Sequence, residues 1–356
     1  MHTMNQSAID SVYLFMAELL GYKRGTLTEK KAFGEQAYKE RLLPEDTLEN
    51  LHEIIWLERL YDEMSKLKLH YAITSTYEGF HWSVPIELDA SASMLGYMGC
   101  LLGDKRLLEM TNMAGDSEVL EDPWYIEGLS RAKVKAAATP MLYGSAKTPI
   151  ELWKAKELDY SSDDLAIINQ ALRNGALGMA NTLKDFVIRN CNPKATMEVH
   201  IWNDKFEIEC NHYKRIGDAH VAYDLYDTVT GHIRRIVHTK TRAVPDLERY
   251  RSYFQTLLIH NLDSQVANTV AGKVYDKYGF CLDVHDAFIV SPVAAADVRQ
   301  WYAEEMDKIF ANRKVILANY FNSIGITSAS LPAWEKVMAK VVPVSDDFKC
   351  RGEVLK

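Results

Sequence analysis

The stretch Phe280–Val290 constrains this chain more than any other. It reads Phe-Cys-Leu-Asp-Val-His-Asp-Ala-Phe-Ile-Val, two short apolar runs around His285-Asp286, with Gly279 before and Pro292 after. Such runs pair as a β-hairpin. The hairpin holds a carboxylate at its tip, and a carboxylate at the end of an apolar element must be solvated, paired or bound to a metal.

A second carboxylate ends another strand. Ser83–Leu88 is short and alternating, and leads into Asp89-Ala90-Ser91-Ala92-Ser93. Met94–Met110 then takes a helical period, with Ser91 or Ser93 as the expected N-cap. Asp89 reads either as a turn or cap residue or as a carboxylate presented to solvent or metal.

Ser130–Gly144 predicts a slim helix, with three alanines at 136–138. Arg131 and Lys135 are four apart and share a face, and Tyr143 lies within about 80° of Lys135. The face is either solvated or a clamp for a phosphate chain. Pro140 removes a helical hydrogen bond and is expected to kink the axis.

The rest supplies organisation. Residues 7–20 and 46–69 read as amphipathic helices, separated by a charged stretch, Lys23–Glu45, expected to be loop with a short helix. The first 80 residues read as mainly helical and carry no nameable chemistry. Residues 151–190 read as helical with a break near Asn174-Gly175. A long β-hairpin is expected over 197–245, turning at Asp227–Gly231. Its second arm carries Arg234, Arg235, Lys240 and Arg242 with His232 and His238. That positive stripe is either edge protection or a phosphate-backbone contact. Residues 294–322 and 332–340 read as helices, and the tail after Val342 as irregular.

Composition bounds the class. The 356 residues are 47% hydrophobic and 25% charged, which excludes disordered and fibrous chains. One to three domains fit this length. The net charge of −8 counts against a simple nucleic-acid-coating protein, though a groove responds to local field. The five cysteines form no CxxC pair, so structural zinc and a disulfide framework are not expected. The longest near-apolar stretch, Ala92–Leu102, is far short of the roughly 20 residues of a membrane span. The N-terminus lacks signal-peptide features. A cytoplasmic protein is expected.

Taken in order, the three segments form a pattern. ELDASASMLGYMGCLLGD, RAKVKAAATPMLYGS and VHDAFIVSP resemble motifs A, B and C of the single-subunit RNA polymerases of phages and mitochondria, relatives of the family A DNA polymerases. The segment from Ile259-His260 through Asp263-Ser264 to Lys277-Tyr278-Gly279 resembles the lead-in to motif C. The likeness covers roughly residues 80–150 and 255–292.

The resemblance implies an α+β right-hand polymerase with palm and fingers, an antiparallel palm sheet and a largely absent thumb. It divides the chain into an N-terminal helical segment and palm part with motif A (1–106), fingers with motif B and a template-contacting hairpin (107–257), and a palm part with motif C and C-terminal helices (258–356). It implies templated RNA synthesis, with Asp89 and Asp286 holding two Mg²⁺ ions and His285 beside them in the catalytic motif. Arg131 and Lys135 would neutralise the incoming NTP, and Tyr143 would close over the nucleoside. Gly144 would let the template base approach the backbone, and Tyr143 with His260 would recognise a ribose 2′-hydroxyl. Arg234, Arg235 and Lys240 would bind phosphates of a single-stranded or melted DNA template.

The sequence departs from that family at Met94, Pro140 and Thr148. From the DNA polymerases it departs by lacking a Glu after Asp89 and by Ala287 after Asp286, which favours RNA as product. No DxxGR-type segment occurs, and 88 residues precede Asp89. This pattern is similar to the motif-bearing chain of split phage polymerases, so a second subunit carrying the thumb and DxxGR segment is expected, with activity only in its presence. The expected setting is a phage-infected bacterial cell. Two alternatives stay open: a family A-type DNA polymerase fragment, and a catalytically inactive polymerase-derived nucleic-acid-binding subunit.

Overall fold

The chain opens on two packed helices. The computed structural model describes residues 5–40, 75–77, 80–82, 85–90, 92–116, 118–145, 147–226, 233–284, 287–352 and 355. Helix α1 (Gln6–Leu19) starts where the Asn5 side chain accepts the Ala8 N–H. After the two-residue strand β1 (Gly25–Thr26) comes α2 (Leu27–Glu40), a helix of 14 residues where loop with a short helix was expected. Its buried stripe is Lys30, Gly34 and Ala37. A hydrophobic period cannot register that stripe, because one member is charged and two are small. A Cβ on Gly34 would lie 1.8 Å from the Tyr13 carbonyl oxygen, so the glycine sets how closely α1 and α2 approach. The expected helix over 46–69 falls outside the described residues.

Two strands pair as a hairpin, β2 (Ser75–Tyr77) and β3 (Phe80–Trp82). The strand that ends in Asp89 is β4 (Ile86–Asp89), followed by α3 (Ser93–Leu102), every residue of which is buried. The expected serine cap is absent. The N-cap is Ala92, at φ 59 and ψ 68 with no side-chain hydrogen bond, while Ser93 is already helical and Ser91 lies outside the described residues. The helix expected to run to Met110 breaks at Gly103, and Asp104 caps a new one, α4 (Lys105–Met110), by accepting the Arg106 and Leu107 N–H groups.

Strand β5 (Val119–Leu120) pairs with β1. Four helices follow: α5 (Arg131–Leu142), α6 (Pro149–Ala155), α7 (Ser162–Ala171) and α8 (Gly175–Asn190). The break at Asn174-Gly175 is present, and a second one separates α6 from α7. The single hairpin expected over 197–245 resolves into two. One joins β6 (Thr196–Ile201) to β7 (Asp204–Glu209). The other joins β8 (Tyr213–Tyr226) to β9 (Ile233–Pro245). Helix α9 (Leu247–Tyr278) follows, stopped by Gly279 at φ 76.

Strands β10 (Leu282–Val284) and β11 (Ala287–Val290) pair antiparallel, and β11 pairs in turn with β4, giving the order β10-β11-β4. The register sets Ala287 opposite Asp89 and Val290 opposite Ile86. Ile86, Leu88, Phe288 and Val290 are almost fully buried, so β4 and β11 share one core. Helices α10 (Ala295–Ser323) and α11 (Leu331–Met338) complete an α+β fold of helices around small antiparallel sheets.

The tail is not simply irregular. Pro343 bridges to Asp104 and Leu355 to Ala90. Arg299 donates from Nε to the Leu355 carbonyl at 3.0 Å and from Nη1 to Ser11 Oγ at 2.9 Å, which fastens the tail and α1 to α10 beside the Asp89 strand. Among the described residues no helix is long and apolar enough to cross a membrane.

Candidate active site

One face of α5 carries Arg131, Lys135, Thr139 and Tyr143 at four-residue spacing, a stripe that turns by about 40° per step. All four line a single cavity of about 270 Å³. The same cavity is lined by Asp89, Ala90, Ala92, Ser93 and Met94 from the β4–α3 turn, and by Asp122, Pro123 and Trp124. Asp89, Arg131, Lys135 and Tyr143 are thus brought together from two distant segments. The other face of α5 buries Val134, Ala137, Ala138 and Leu142, and that apolar face fixes which way the charged stripe points.

Both ends of α5 are secured. Ser130 accepts the Lys133 N–H. Lys184 Nζ donates to the Met141 carbonyl at 3.2 Å. The helix runs through Pro140, whose missing N–H removes only the bond to the Ala136 carbonyl near the helix end.

Beyond α5 the chain turns against α9. The Tyr143 and His260 rings lie 5.3 Å apart between centroids, tilted by 44°. Thr256 Oγ1 donates to the Tyr143 carbonyl at 2.9 Å. Gly144 has φ +88, and a Cβ there would sit 2.8 Å from the Ser252 carbonyl oxygen. Ser252, Thr256 and His260 therefore form a seam at four-residue spacing. Glycine at 144 is thus required by the close approach of α9. One turn past His260, Asp263 interacts with the buried Tyr97 of α3, which ties α9 to the helix after Asp89.

Ion pairs set the charge of the cavity. Arg131 Nε donates to Asp122 Oδ2 at 2.8 Å, and Asp122 Oδ1 accepts the Trp124 N–H at 3.1 Å. The bond uses Nε, and among the described residues neither Nη group of Arg131 makes another hydrogen bond. Lys135 is exposed and has no ion-pair partner among the described residues. Glu18 and Lys23, from a segment with no expected chemistry, also line the cavity. Burial alone would raise the Glu18 carboxyl, but the Lys30 and Lys23 ammonium groups override it and hold the carboxyl down at about 2. The sequence offered no signal for Glu18, Lys23 or Asp122. Glu18 reads as the solvated side of an amphipathic helix, and Asp122 lies on a loop where spacing rules do not operate.

His285 and Asp286 lie outside the described residues. Their chain neighbours Val284 and Ala287 are paired with each other, and Ala287 also stands opposite Asp89. Arg234, Arg235 and Lys240 lie on β9, in register with Leu225, Asp224 and Ala219. Among the described residues no three His, Cys, Asp or Glu side chains gather as a metal-binding group. A larger cavity of about 890 Å³ lies elsewhere, among Phe186, Phe321, Trp334 and aliphatic side chains. It is mainly apolar and holds none of the residues expected to act.

Compared with known proteins, the chain matches no family model, and no curated protein sequence matches it significantly.

Proposed function

We propose that the chain is the catalytic subunit of a DNA-directed RNA polymerase, joining NTPs to an RNA 3′ end on a DNA template. One observation carries this: Asp89, Arg131, Lys135 and Tyr143, separated by up to 54 positions in the sequence, line one small polar cavity. A carboxylate facing two cations and an aromatic ring suits a metal-bound nucleoside triphosphate.

Arg131 and Lys135 take the phosphates, one as a planar fork and one as a point charge. Asp122 fixes the guanidinium through Nε and leaves its outer edge for the ligand. Tyr143, braced by His260 and Thr256, meets the nucleoside, and the Tyr143–His260 pair supports discrimination of the ribose 2′-hydroxyl.

The donor set fits Mg²⁺, which takes oxygen ligands and needs only one or two carboxylates from protein. Asp89 is an exposed carboxylate on the cavity, and Asp286 is one peptide bond from Ala287, the residue opposite Asp89. Asp89 and Asp286 would hold the metal, which when bound activates the attacking 3′-hydroxyl and neutralises the leaving pyrophosphate. A second subunit bearing the thumb and a DxxGR-type segment belongs to the same proposal.

The test is RNA extension on a single-stranded DNA template with Mg²⁺, with NTPs or dNTPs, by this chain alone and with its second subunit. Incorporation of NTPs by the pair, little by the chain alone, and loss with Asp89→Ala are expected. Preference for dNTPs would convert the chain into a DNA polymerase fragment. Robust synthesis by the isolated chain would remove the second subunit. Undiminished addition by Asp89→Ala would remove Asp89 from the site.

A further inference from the structure

We infer that Lys23 is a third cationic contact for the triphosphate of the incoming nucleotide, presented by the turn between α1 and β1; this rests on the function proposed above and adds a binding residue from the N-terminal segment.

The geometry begins at Glu18. Its Oε1 accepts from Lys23 Nζ at 2.6 Å, and its Oε2 is ion-paired with Lys30. Lys23 Nζ also donates to the Glu18 carbonyl at 3.2 Å, so the ammonium is held by two oxygens of one residue. The two lysines differ in surroundings. The Lys30 side chain is 1% exposed and the Lys23 side chain 34%. One carboxylate between two ammonium groups leaves the trio with one positive charge. With Lys30 enclosed, that surplus is displayed by Lys23, which lines the cavity and Lys30 does not.

Charge counting points the same way. The carboxylates lining the cavity are Glu18, Asp89 and Asp122, and the cations are Lys23, Arg131 and Lys135. Without Lys23 two cations would face three carboxylates, a poor host for a polyphosphate. With it the lining is balanced and the buried Lys30 adds one positive charge behind. A purely structural salt bridge would not require Lys23, because Lys30 already pairs with Glu18 from the protein side. Lys23 stands two residues before β1, and its ammonium is already held by Glu18 before any ligand arrives.

The experiment titrates the full chain with ATP, inorganic tripolyphosphate and AMP in Mg²⁺ by calorimetry. Lys23→Gln is expected to weaken ATP and tripolyphosphate roughly 10-fold, the loss of one charge-assisted hydrogen bond, while AMP binding hardly changes. Lys23→Arg should restore most of the affinity. If wild type binds ATP and Lys23→Gln binds it equally well, Lys23 is not a contact, while the polymerase proposal survives. If wild type binds neither ATP nor tripolyphosphate, both fall. Lysine methylation of the wild-type chain, read by mass spectrometry, keeps the test decisive if Lys23→Gln does not fold. ATP should protect Lys23 and AMP should not, with the exposed Lys39 unaffected by either; equal labelling of Lys23 with and without ATP overturns the inference.

Discussion

Two cavities of this molecule differ in what they can do. The one of about 890 Å³ is the roomier, lined by Phe186, Phe321, Trp334 and aliphatic residues, with Arg313 at its edge already bound to Asp346. The one of about 270 Å³ is a third as large, yet six of its lining residues carry charge and three more, Ser93, Thr139 and Tyr143, carry hydroxyls. Volume and apolar walls give a site for packing, whereas reaction at a phosphate needs opposed charges held at short range. The small cavity is lined by Asp89, Arg131, Lys135 and Tyr143; His260 packs behind it on the Tyr143 ring, and Gly144 lies against Ser252 of α9.

The contrast can be broken by substitution. Asp89→Ala should have the largest effect, removing several kcal/mol of transition-state stabilisation and so roughly 10³-fold in nucleotide addition, with the melting temperature little changed. Phe186→Ala in the apolar cavity should do the reverse. It should cost about 3–5 kcal/mol of unfolding free energy, measured by urea titration, and leave the turnover of folded molecules unaltered. Equal losses of turnover from the two substitutions would erase the distinction between the cavities. Lys135→Ala is expected to lower the rate on the order of 10²-fold. It is a cleaner probe than Arg131→Ala, which would leave the buried Asp122 carboxylate without its partner.

Smaller effects sharpen the picture. Asp122→Asn should raise the KM for NTP on the order of 10-fold with less change in kcat, because it loosens the guanidinium without removing it. The Glu18 pair makes a pH prediction. Its folded-state pKa of about 2 is below the unfolded value of 4.5, so its contribution to stability is complete above about 4.5 and is lost as pH falls toward 2. Chemical denaturation at stepped pH should show that loss, and Glu18→Gln should remove it. Ala92→Gly should be the mildest change: it relieves a left-handed φ of 59 and is expected to gain about 1 kcal/mol, read as a small rise in melting temperature.

The sequence carried some elements and concealed others for physical reasons. The Arg131, Lys135 and Tyr143 stripe was legible because it follows one helix, where spacing fixes direction. The pairing of the Asp89 strand with the Ala287 strand follows from two apolar runs that must share a core, although the register itself is a tertiary fact. Helix α2 was hidden because its buried stripe is Lys30, Gly34 and Ala37, which no hydrophobic period can flag. The break at Gly103 and Asp104 was hidden because its cap works with tail residues: Asp104 Oδ2 also accepts the Val342 N–H from more than two hundred positions away. Asp122, Glu18 and Lys23 reach the cavity through loops and helix ends, where local spacing says nothing about destination.

Helix α9 has a mechanical meaning. Its 32 residues form a strut of about 48 Å, joined to β9 within two residues at one end and to β10 within four at the other. Between them lies the seam of Ser252, Thr256 and His260 against Tyr143 and Gly144, which is a fulcrum. A tilt of about 5° about His260 would swing the β10 end by about 2 Å, given about 27 Å of helix beyond that residue. A load on the long hairpin would thus arrive at the strand before His285 as leverage, carried by one rigid rod.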